Sequence, residues 1–308
     1  MKLSDKRALQ QIVSNEVATN ILTNRLDNFP YISAGTFNVV YDLGGSRILR
    51  TSHLYNDVEV DIQDAQSEVA LAKIMGNVGI GPKIFWSAVQ SISSGQSRLL
   101  SIQEHGGHTL LDLLGMGITV PAYCNIITDQ LLILMCRLAA AGFAAVDIKP
   151  ENILISGYEQ IYIVNAKLID FDPRYLIHLR SSNDIAAGIT LMLCFLESHL
   201  QSYISIDYPT VAISAKFLIE SLDTLVPRVL INSNAWSDIK QEPVVAKVSE
   251  HYFGADGFIK CPKIDLTSSD AYQIVGPLRF IKDTLPERCK LPKHQMKAIR
   301  SWKVTNQQ

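Results

Sequence analysis

"AGFAAVDIKPENILIS", residues 141–156, places an aspartate, a lysine and an asparagine in fixed register between two apolar runs. A segment that served only to fill a core would keep its apolar run, because a buried charge costs free energy unless it is paired. Asp147, Lys149 and Asn152 therefore indicate a functional site. The alternative is structural, with Asp147 and Asn152 only capping a turn.

A second polar motif, "LIDFD" (168–172), closes the hairpin-like pair "NILISG" and "IYIVNAKLID" that follows. Together the two motifs resemble the catalytic loop and the metal-binding motif of the protein kinase family. In that family an asparagine stands five residues after the catalytic aspartate, and Asp-Phe-Gly ends the next strand pair. Here Asp170-Phe171-Asp172 takes the last position, and Lys149-Pro150-Glu151 matches the serine/threonine type of loop.

The resemblance implies a role for each of these side chains. Asp147 would orient the acceptor hydroxyl, and Lys149 would balance charge on the transferred phosphate. Asn152 and Asp170 would hold Mg²⁺ or Mn²⁺, which bind hard oxygen ligands. ATP would be the cofactor, and the acceptor would be a protein or a small molecule that carries a hydroxyl. Asp170 could instead simply end a strand.

The stretch "SAGTFNVVY" (33–41) resembles the glycine-rich loop that covers the ATP phosphates. The matching residues are Gly35, Phe37 and Val40. Ser33 and Asn38 replace two of the family's glycines. Taken by itself, this stretch would be an ordinary hairpin, and its place ahead of the other motifs favours the nucleotide-binding interpretation.

"RILR" (47–50) places Arg50 where the family's third strand has a phosphate-binding lysine. Arginine keeps its charge, but its planar fork is longer and wider than an ammonium group. Glu68, inside a predicted helix over 61–76, would be its partner. The alternative is that Arg50 and Glu68 are two solvated charges.

"IQEHGGHTLLDLL" (102–114) resembles the hinge segment, where backbone groups around Gln103, Glu104 and His105 would receive adenine. His105 and His108 are spaced like metal ligands. No cysteine or third histidine stands nearby, so we favour a plain loop for them.

The chain also departs from the family. Ala145-Val146 replaces the His-Arg pair, of which the histidine normally braces the loop and the arginine receives a phosphorylated activation segment. Only eleven residues separate Asp172 from Asp184, which stands where the next helix of the family has its buried aspartate, and no Ala-Pro-Glu lies between them. Control by phosphorylation is therefore not expected. Two alternatives remain besides a protein kinase: a pseudokinase that binds nucleotide or serves as a scaffold, and a small-molecule kinase.

Composition sets the broader class. The 308 residues include 28 basic and 30 acidic side chains, so overall charge gives no reason to expect nucleic-acid binding. Five cysteines without a CxxC pair, no signal-peptide core and no clear membrane span predict a soluble, cytoplasmic protein. The apolar stretch 131–146 contains Arg137 and is short for a membrane span, so it predicts a core helix. The basic segment 282–303 predicts a solvated helix or, alternatively, a contact for a partner or an anionic surface.

Periodicity predicts an α+β chain with two lobes, a β-rich one followed by an α-rich one, and the resemblance implies that this is a kinase-like fold. A cleft between lobes is a favoured ligand site. The predicted domains are an N-terminal helical extension (1–29), a small β-rich N-lobe (30–104), and a larger α-helical C-lobe with a basic C-terminal helix (105–308). The predicted elements are a hairpin with its turn at Gly44-Gly45, a helix over 61–76 capped by Gly76, strands over 82–92 and 97–105, and helices over 109–115, 124–143, 183–200 and 210–230.

Overall fold

The computed structural model describes residues 3–35, 38–52, 55–56, 59–93, 96–157, 164–172, 175–179, 182–229, 293–297 and 299. Most of the basic segment 282–303 thus lies outside the described residues. The chain is mixed α+β and divides into two compact units. The first unit is Met1–Gly106 with Asp170–Asp172, and the second is Gly107–Ile169 with Pro173–Gln308. Residues 1–29 belong to the first unit.

The first unit is built on an antiparallel sheet. Its strands are β1 (Tyr31–Ala34), β2 (Asn38–Gly44), β3 (Arg47–Ser52), β4 (Tyr55–Asn56), β5 (Ile84–Ser93) and β6 (Gln96–Glu104). The strands run in the order β1-β2-β3-β6-β5, and the short β4 pairs with β6 beyond the end of β3. The predicted strands over 82–92 and 97–105 are confirmed as β5 and β6. The middle of β6 is buried on both faces, and its buried residues include the polar Arg98, Ser101 and Gln103 as well as Leu99, Leu100 and Ile102.

The predicted β2–β3 hairpin is confirmed, with its turn one residue later than expected. Gly45 and Ser46 form the two-residue turn, and both have positive φ values, of 59° and 61°. Positive φ at both central positions gives the turn whose twist matches paired strands. Gly44 instead lies in a bulge opposite Arg47, where its N–H donates to Asp42 Oδ1 at 2.8 Å.

One face of this sheet is covered by α1 (Leu3–Ile12), α2 (Asn15–Leu22) and a short 3₁₀ turn, Leu26–Asn28. Their apolar side chains form one core with those of the sheet, and Trp86 Nε1 donates to the carbonyl of Asp5 at 2.9 Å. The buried members of this core are Leu9, Ala18, Ile21, Leu26, Phe29, Leu49, Trp86, Ala88, Leu100 and Ile102. The helices predicted over 1–29 are therefore present and part of a core.

Helix α3 (Glu59–Asn77) packs against β5 and β6. Successive side chains of a strand point to opposite faces, so Arg50 points away from the face of its neighbour Leu49. Because Leu49 contacts the α1–α2 side and Arg50 contacts Glu68 of α3, α3 lies on the other face of the sheet.

The prediction that Gly76 caps α3 is wrong. The cap is Gly79, which has φ +76°; its N–H donates to Gly76 O at 3.2 Å, and the Ile80 N–H donates to Met75 O at 2.9 Å. These are the two hydrogen bonds of a Schellman cap. Gly76 has a different role: a Cβ there would lie 2.4 Å from the carbonyl oxygen of Pro82.

The second unit combines helices with short strands. Its helices are α4 (Leu110–Gly115), α5 (Pro121–Ala140), α6 (Ser182–Ile204) and α7 (Pro209–Val229). Its strands are β7 (His108–Thr109), β8 (Phe143–Ala145), β9 (Ile153–Ser156), β10 (Asn165–Leu168) and β11 (Leu176–His178). Strand β9 pairs with β7 and β10, and β8 pairs with β11, all antiparallel. All four predicted helices are confirmed, within a few residues at their ends.

Helix α5 is the core helix of the second unit. It contacts α6, α7, β8 and β10. Among the described residues it is also the one helix long and apolar enough to cross a membrane by length and composition, and 56 % of its most apolar window is buried. Core helices pass the same test, so this is weak evidence for a membrane span.

Candidate functional site

The loop that carries the "DIKPEN" motif runs from β8 to β9. The Val146 N–H donates to Tyr175 O at 2.9 Å, which anchors its first residue beside β11. Pro150–Asn152 form a 3₁₀ turn, in which the Asn152 N–H donates to Lys149 O at 2.9 Å. Proline suits the first position of such a turn because the N–H it lacks would have no partner there.

This loop brings the three predicted polar side chains together. Asp147 Oδ2 accepts hydrogen bonds from Lys149 Nζ and from Asn152 Nδ2, both at 2.9 Å. The side chains of Asp147 and Lys149 are 25 % and 34 % exposed. The pair is therefore held in place and yet remains accessible to a ligand.

The amide of Asn152 is oriented by the same contacts. Its Nδ2 also donates to the backbone oxygen of Asp147 at 3.0 Å, so both amide hydrogens point to Asp147. This leaves Oδ1 as the group that could meet a ligand, and an amide oxygen is a hard donor of the kind Mg²⁺ accepts. The donor chemistry at Asn152 therefore fits a magnesium ligand.

The expected second metal ligand, Asp170, stands two residues after the end of β10, the partner strand of β9. The Ile169 N–H donates to Asn152 O at 2.8 Å, and Asp170 is the next residue along the chain. Asp170 has φ +72°, in the left-handed region that aspartate and asparagine tolerate better than most residues. The Asp172 N–H donates to Asp170 Oδ1 at 3.4 Å, and Phe171 between them is buried.

In the first unit, Arg50 and Glu68 form an ion pair. Arg50 Nη1 lies 3.0 Å from Glu68 Oε1, and the two side chains are 20 % and 19 % exposed. Burial raises the pKa of Glu68, and the carboxylates of Asp170 and Asp172 raise it further, while Arg50 acts against them. Besides Arg50, Glu68 thus has two further carboxylates whose charges act on it.

The expected phosphate loop is described in part. The Gly35 N–H donates to Asn38 O at 2.8 Å, and no heavy atom of the described residues beyond its chain neighbours lies within 4 Å of the place a Cβ would take. Val40 pairs across the strands with Arg50. Phe37 lies outside the described residues.

The expected adenine segment is already hydrogen bonded within the first unit. The Glu104 N–H donates to Lys83 O and the His105 N–H donates to Ser46 O, each at 2.8 Å. Glu104 Oε2 also accepts from the Lys83 N–H at 3.1 Å. These two backbone N–H groups are therefore engaged, and an adenine would have to be received by other groups of the segment.

No group of three or more His, Cys, Asp or Glu side chains is arranged to hold a metal among the residues that the structure describes. A magnesium ion held by one carboxylate, one amide and phosphate oxygens would not need such a group.

Two residues of α6, His199 and Tyr203, were not among the predicted site residues. The Tyr203 hydroxyl donates to Glu151 Oε1, and burial and that carboxylate raise the pKa of Tyr203. Burial lowers the pKa of His199, against the opposite effect of Asp147 and Glu151. Both residues stand more than forty positions after the loop, in the polar end of α6, and no local pattern set them apart from the polar residues beside them.

The segment after Asp172 is short in the structure as well. Strand β11 occupies Leu176–His178 and pairs with β8, and α6 begins at Ser182. Asp184 lies in the first turn of α6, and its side chain lies outside what the structure describes.

No protein-family model matches the chain, and no curated protein sequence matches it significantly.

Proposed function

We propose that the chain is an ATP- and Mg²⁺-dependent kinase with a small β-rich lobe and a larger helical lobe. It transfers the terminal phosphoryl group of ATP to a hydroxyl, in the first instance a serine or threonine of a protein. The observation that carries the proposal is the Asp147 carboxylate, which accepts hydrogen bonds from both Lys149 and Asn152. This contact set has the residue types and spacing of a kinase catalytic loop.

In this proposal Asp147 accepts the hydrogen bond of the attacking hydroxyl and orients its oxygen toward phosphorus. Lys149 keeps Asp147 in place and supplies positive charge for the transferred group. Asn152 Oδ1 and the Asp170 carboxylate would hold the metal. When bound, Mg²⁺ neutralises phosphate charge and so favours the displacement.

Arg50 would act on the phosphates of ATP. A guanidinium carries five N–H donors, and the contact with Glu68 occupies one side of the fork. The remaining donors suit the bidentate recognition of phosphate oxygens. Glu68 then fixes the direction in which Arg50 points.

A small-molecule acceptor is the second candidate, and the segment after Asp172 favours it. Residues 173–181 are all that separate Asp172 from α6, and β11 takes three of them. A segment this short offers little backbone for docking an extended peptide.

Purified protein with labelled ATP and Mg²⁺ or Mn²⁺, offered mixed proteins and mixed small hydroxyl compounds in parallel, tests the proposal. Asp147→Ala should abolish transfer and leave ATP affinity nearly unchanged, since the residue faces the hydroxyl. The matched control is Asp207→Ala, at an exposed aspartate beyond α6. Binding of ATP without transfer to any acceptor would make the protein a pseudokinase. Failure to bind ATP at all would overturn both the kinase proposal and the nucleotide-binding pseudokinase alternative.

A further inference from the structure

One face of α6 is directed at the loop that carries Asp147. Residues four apart on a helix lie on the same side, so His199 and Tyr203 share a face. Tyr203 makes a hydrogen bond to Glu151, and α6 packs against the 3₁₀ turn Pro150–Asn152. The charges of Asp147, Glu151 and Lys149 act on the pKa of His199.

The Glu151 carboxylate receives its hydrogen bond from this helix. Its Oε1 accepts the hydrogen bond from the Tyr203 hydroxyl, whereas its Oε2 is buried and has no hydrogen-bond partner within the described residues. A buried carboxylate oxygen without a donor is costly, so the one hydrogen bond that Tyr203 supplies has unusual weight for this side chain. Loss of the hydroxyl would leave both oxygens without a protein donor and would favour movement of Glu151 toward water.

Movement of Glu151 would change the reacting geometry. Glu151 stands between Lys149 and Asn152, the two residues that hold Asp147 Oδ2. The turn has only three residues, so displacement of its middle residue shifts the residues on both sides. A small displacement of an orienting group has a large effect on rate, because the reaction depends on alignment.

On the other side of the loop, the contact that the structure describes is a backbone one, from the Val146 N–H to Tyr175 O. Ala145 and Val146 are apolar and are 3 % and 1 % exposed. In the family that the motifs resemble, a histidine at the position of Ala145 braces the loop. Neither of these two side chains can hold the loop by a hydrogen bond, whereas Tyr203 can.

We propose that Tyr203 is a positioning residue that braces the loop of Asp147 from α6 through Glu151. The proposal rests on the kinase function proposed above. It assigns the bracing to a helix far along the chain instead of to the residues before the aspartate.

Tyr203→Phe removes the hydroxyl and keeps the ring, and Tyr208→Phe at a 68 % exposed tyrosine is the matched control. For Tyr203→Phe we expect kcat to fall about tenfold while KM for ATP stays within about twofold, since a lost hydrogen bond to a charged group is enough for that change. The control should match wild type. Unchanged kcat for Tyr203→Phe, or equal losses in the two variants, would overturn the proposal.

A double variant tests the route through Glu151. If Tyr203 acts through that carboxylate, Tyr203→Phe combined with Glu151→Ala should lose no more than Glu151→Ala does by itself. Glu151→Gln keeps an acceptor for the hydroxyl and should recover much of the rate. Additive losses would show that Tyr203 acts by another route and would contradict the proposal.

Hydrogen exchange separates this inference from the kinase function itself. Amides of residues 147–153 should exchange several-fold faster in Tyr203→Phe than in wild type, and at the wild-type rate in Tyr208→Phe. If wild type transfers no phosphate but this difference appears, the kinase function fails and the brace stands. If the exchange rates are equal, the brace is refuted whatever the activity.

Discussion

Arg50 Nη1 lies 3.0 Å from Glu68 Oε1, joining strand β3 to helix α3. The sequence left open whether these were two solvated charges. The contact shows that the two residues form an ion pair, and each side chain is only about one-fifth exposed. The carboxylates of Asp170 and Asp172 raise the pKa of Glu68, and Arg50 acts against them.

Replacement of Arg50 by alanine should lower phosphoryl transfer at least tenfold. A charge-assisted contact to phosphate is worth on the order of 1.5–3 kcal/mol, and none of it would remain. Arg50→Lys should be tolerated or improve the rate, since the protein kinases that the motifs resemble have lysine at this position. Initial rates and ATP affinity, measured for both variants, check this; an alanine variant with wild-type values for both would show that Arg50 serves only the fold.

The stability of the protein should depend on pH through Glu68. Its pKa is raised in the folded state above the ordinary value of 4.5, so the folded protein holds this proton more firmly than the unfolded chain. The stabilisation is complete below 4.5 and is lost as pH rises through the folded-state pKa.

Glu68→Gln cannot titrate, so its stability lacks this pH dependence. As pH rises from about 4.5 to neutral, the unfolding free energy of wild type should therefore fall relative to that of the variant. Urea unfolding at a series of pH values measures it, with the exposed Glu220→Gln as the control. A difference that is constant with pH would contradict the assignment of a raised pKa.

Asp170→Asn should abolish metal-dependent transfer and weaken the binding of metal–ATP, with little loss of stability. Asparagine accepts φ +72° almost as well as aspartate does, so the backbone should be kept. Asp170→Ala should lose the same activity and in addition about 1 kcal/mol of stability, because alanine is strained there. Thermal unfolding and ATP titrations with and without Mg²⁺ separate the two effects, and retained activity in the asparagine variant would refute the role.

Phosphatase treatment should leave the activity unchanged. Val146 stands where the family that the motifs resemble has an arginine before the catalytic aspartate. Only nine residues lie between Asp172 and α6, and β11 takes three of them, so a phosphorylated loop would have neither a receptor nor much length. Rates before and after treatment, with mass spectrometry to verify removal of phosphate, give the comparison. A large drop would mean that activation depends on a segment elsewhere.

Local patterns predicted most of the elements. The alternation around β2 and β3 and the apolar periodicity of α4 to α7 gave elements that agree with the structure within a few residues. Gly76 was assigned the wrong role because the sequence shows that a glycine is present and does not show why. The close approach of Pro82 requires Gly76, whereas the positive φ lies at Gly79.

The site could be predicted only where its residues are close in sequence. Asp147, Lys149 and Asn152 share one short loop, so their contacts follow from its local geometry. Tyr203 reaches Glu151 through the packing of α6, and no local pattern records such packing. The hydrogen bonds of the Glu104 and His105 amides likewise depend on strand pairing, which residue types at those positions do not specify.

The packing of α1 and α2 on the sheet has a practical consequence for how the protein can be shortened. A boundary at residue 30, which the kinase resemblance suggests, would strip the cover from Leu49, Trp86, Leu100 and Ile102. A contiguous apolar surface of that kind promotes aggregation. Truncated versions that begin at residue 30 should therefore be recovered mainly in inclusion bodies.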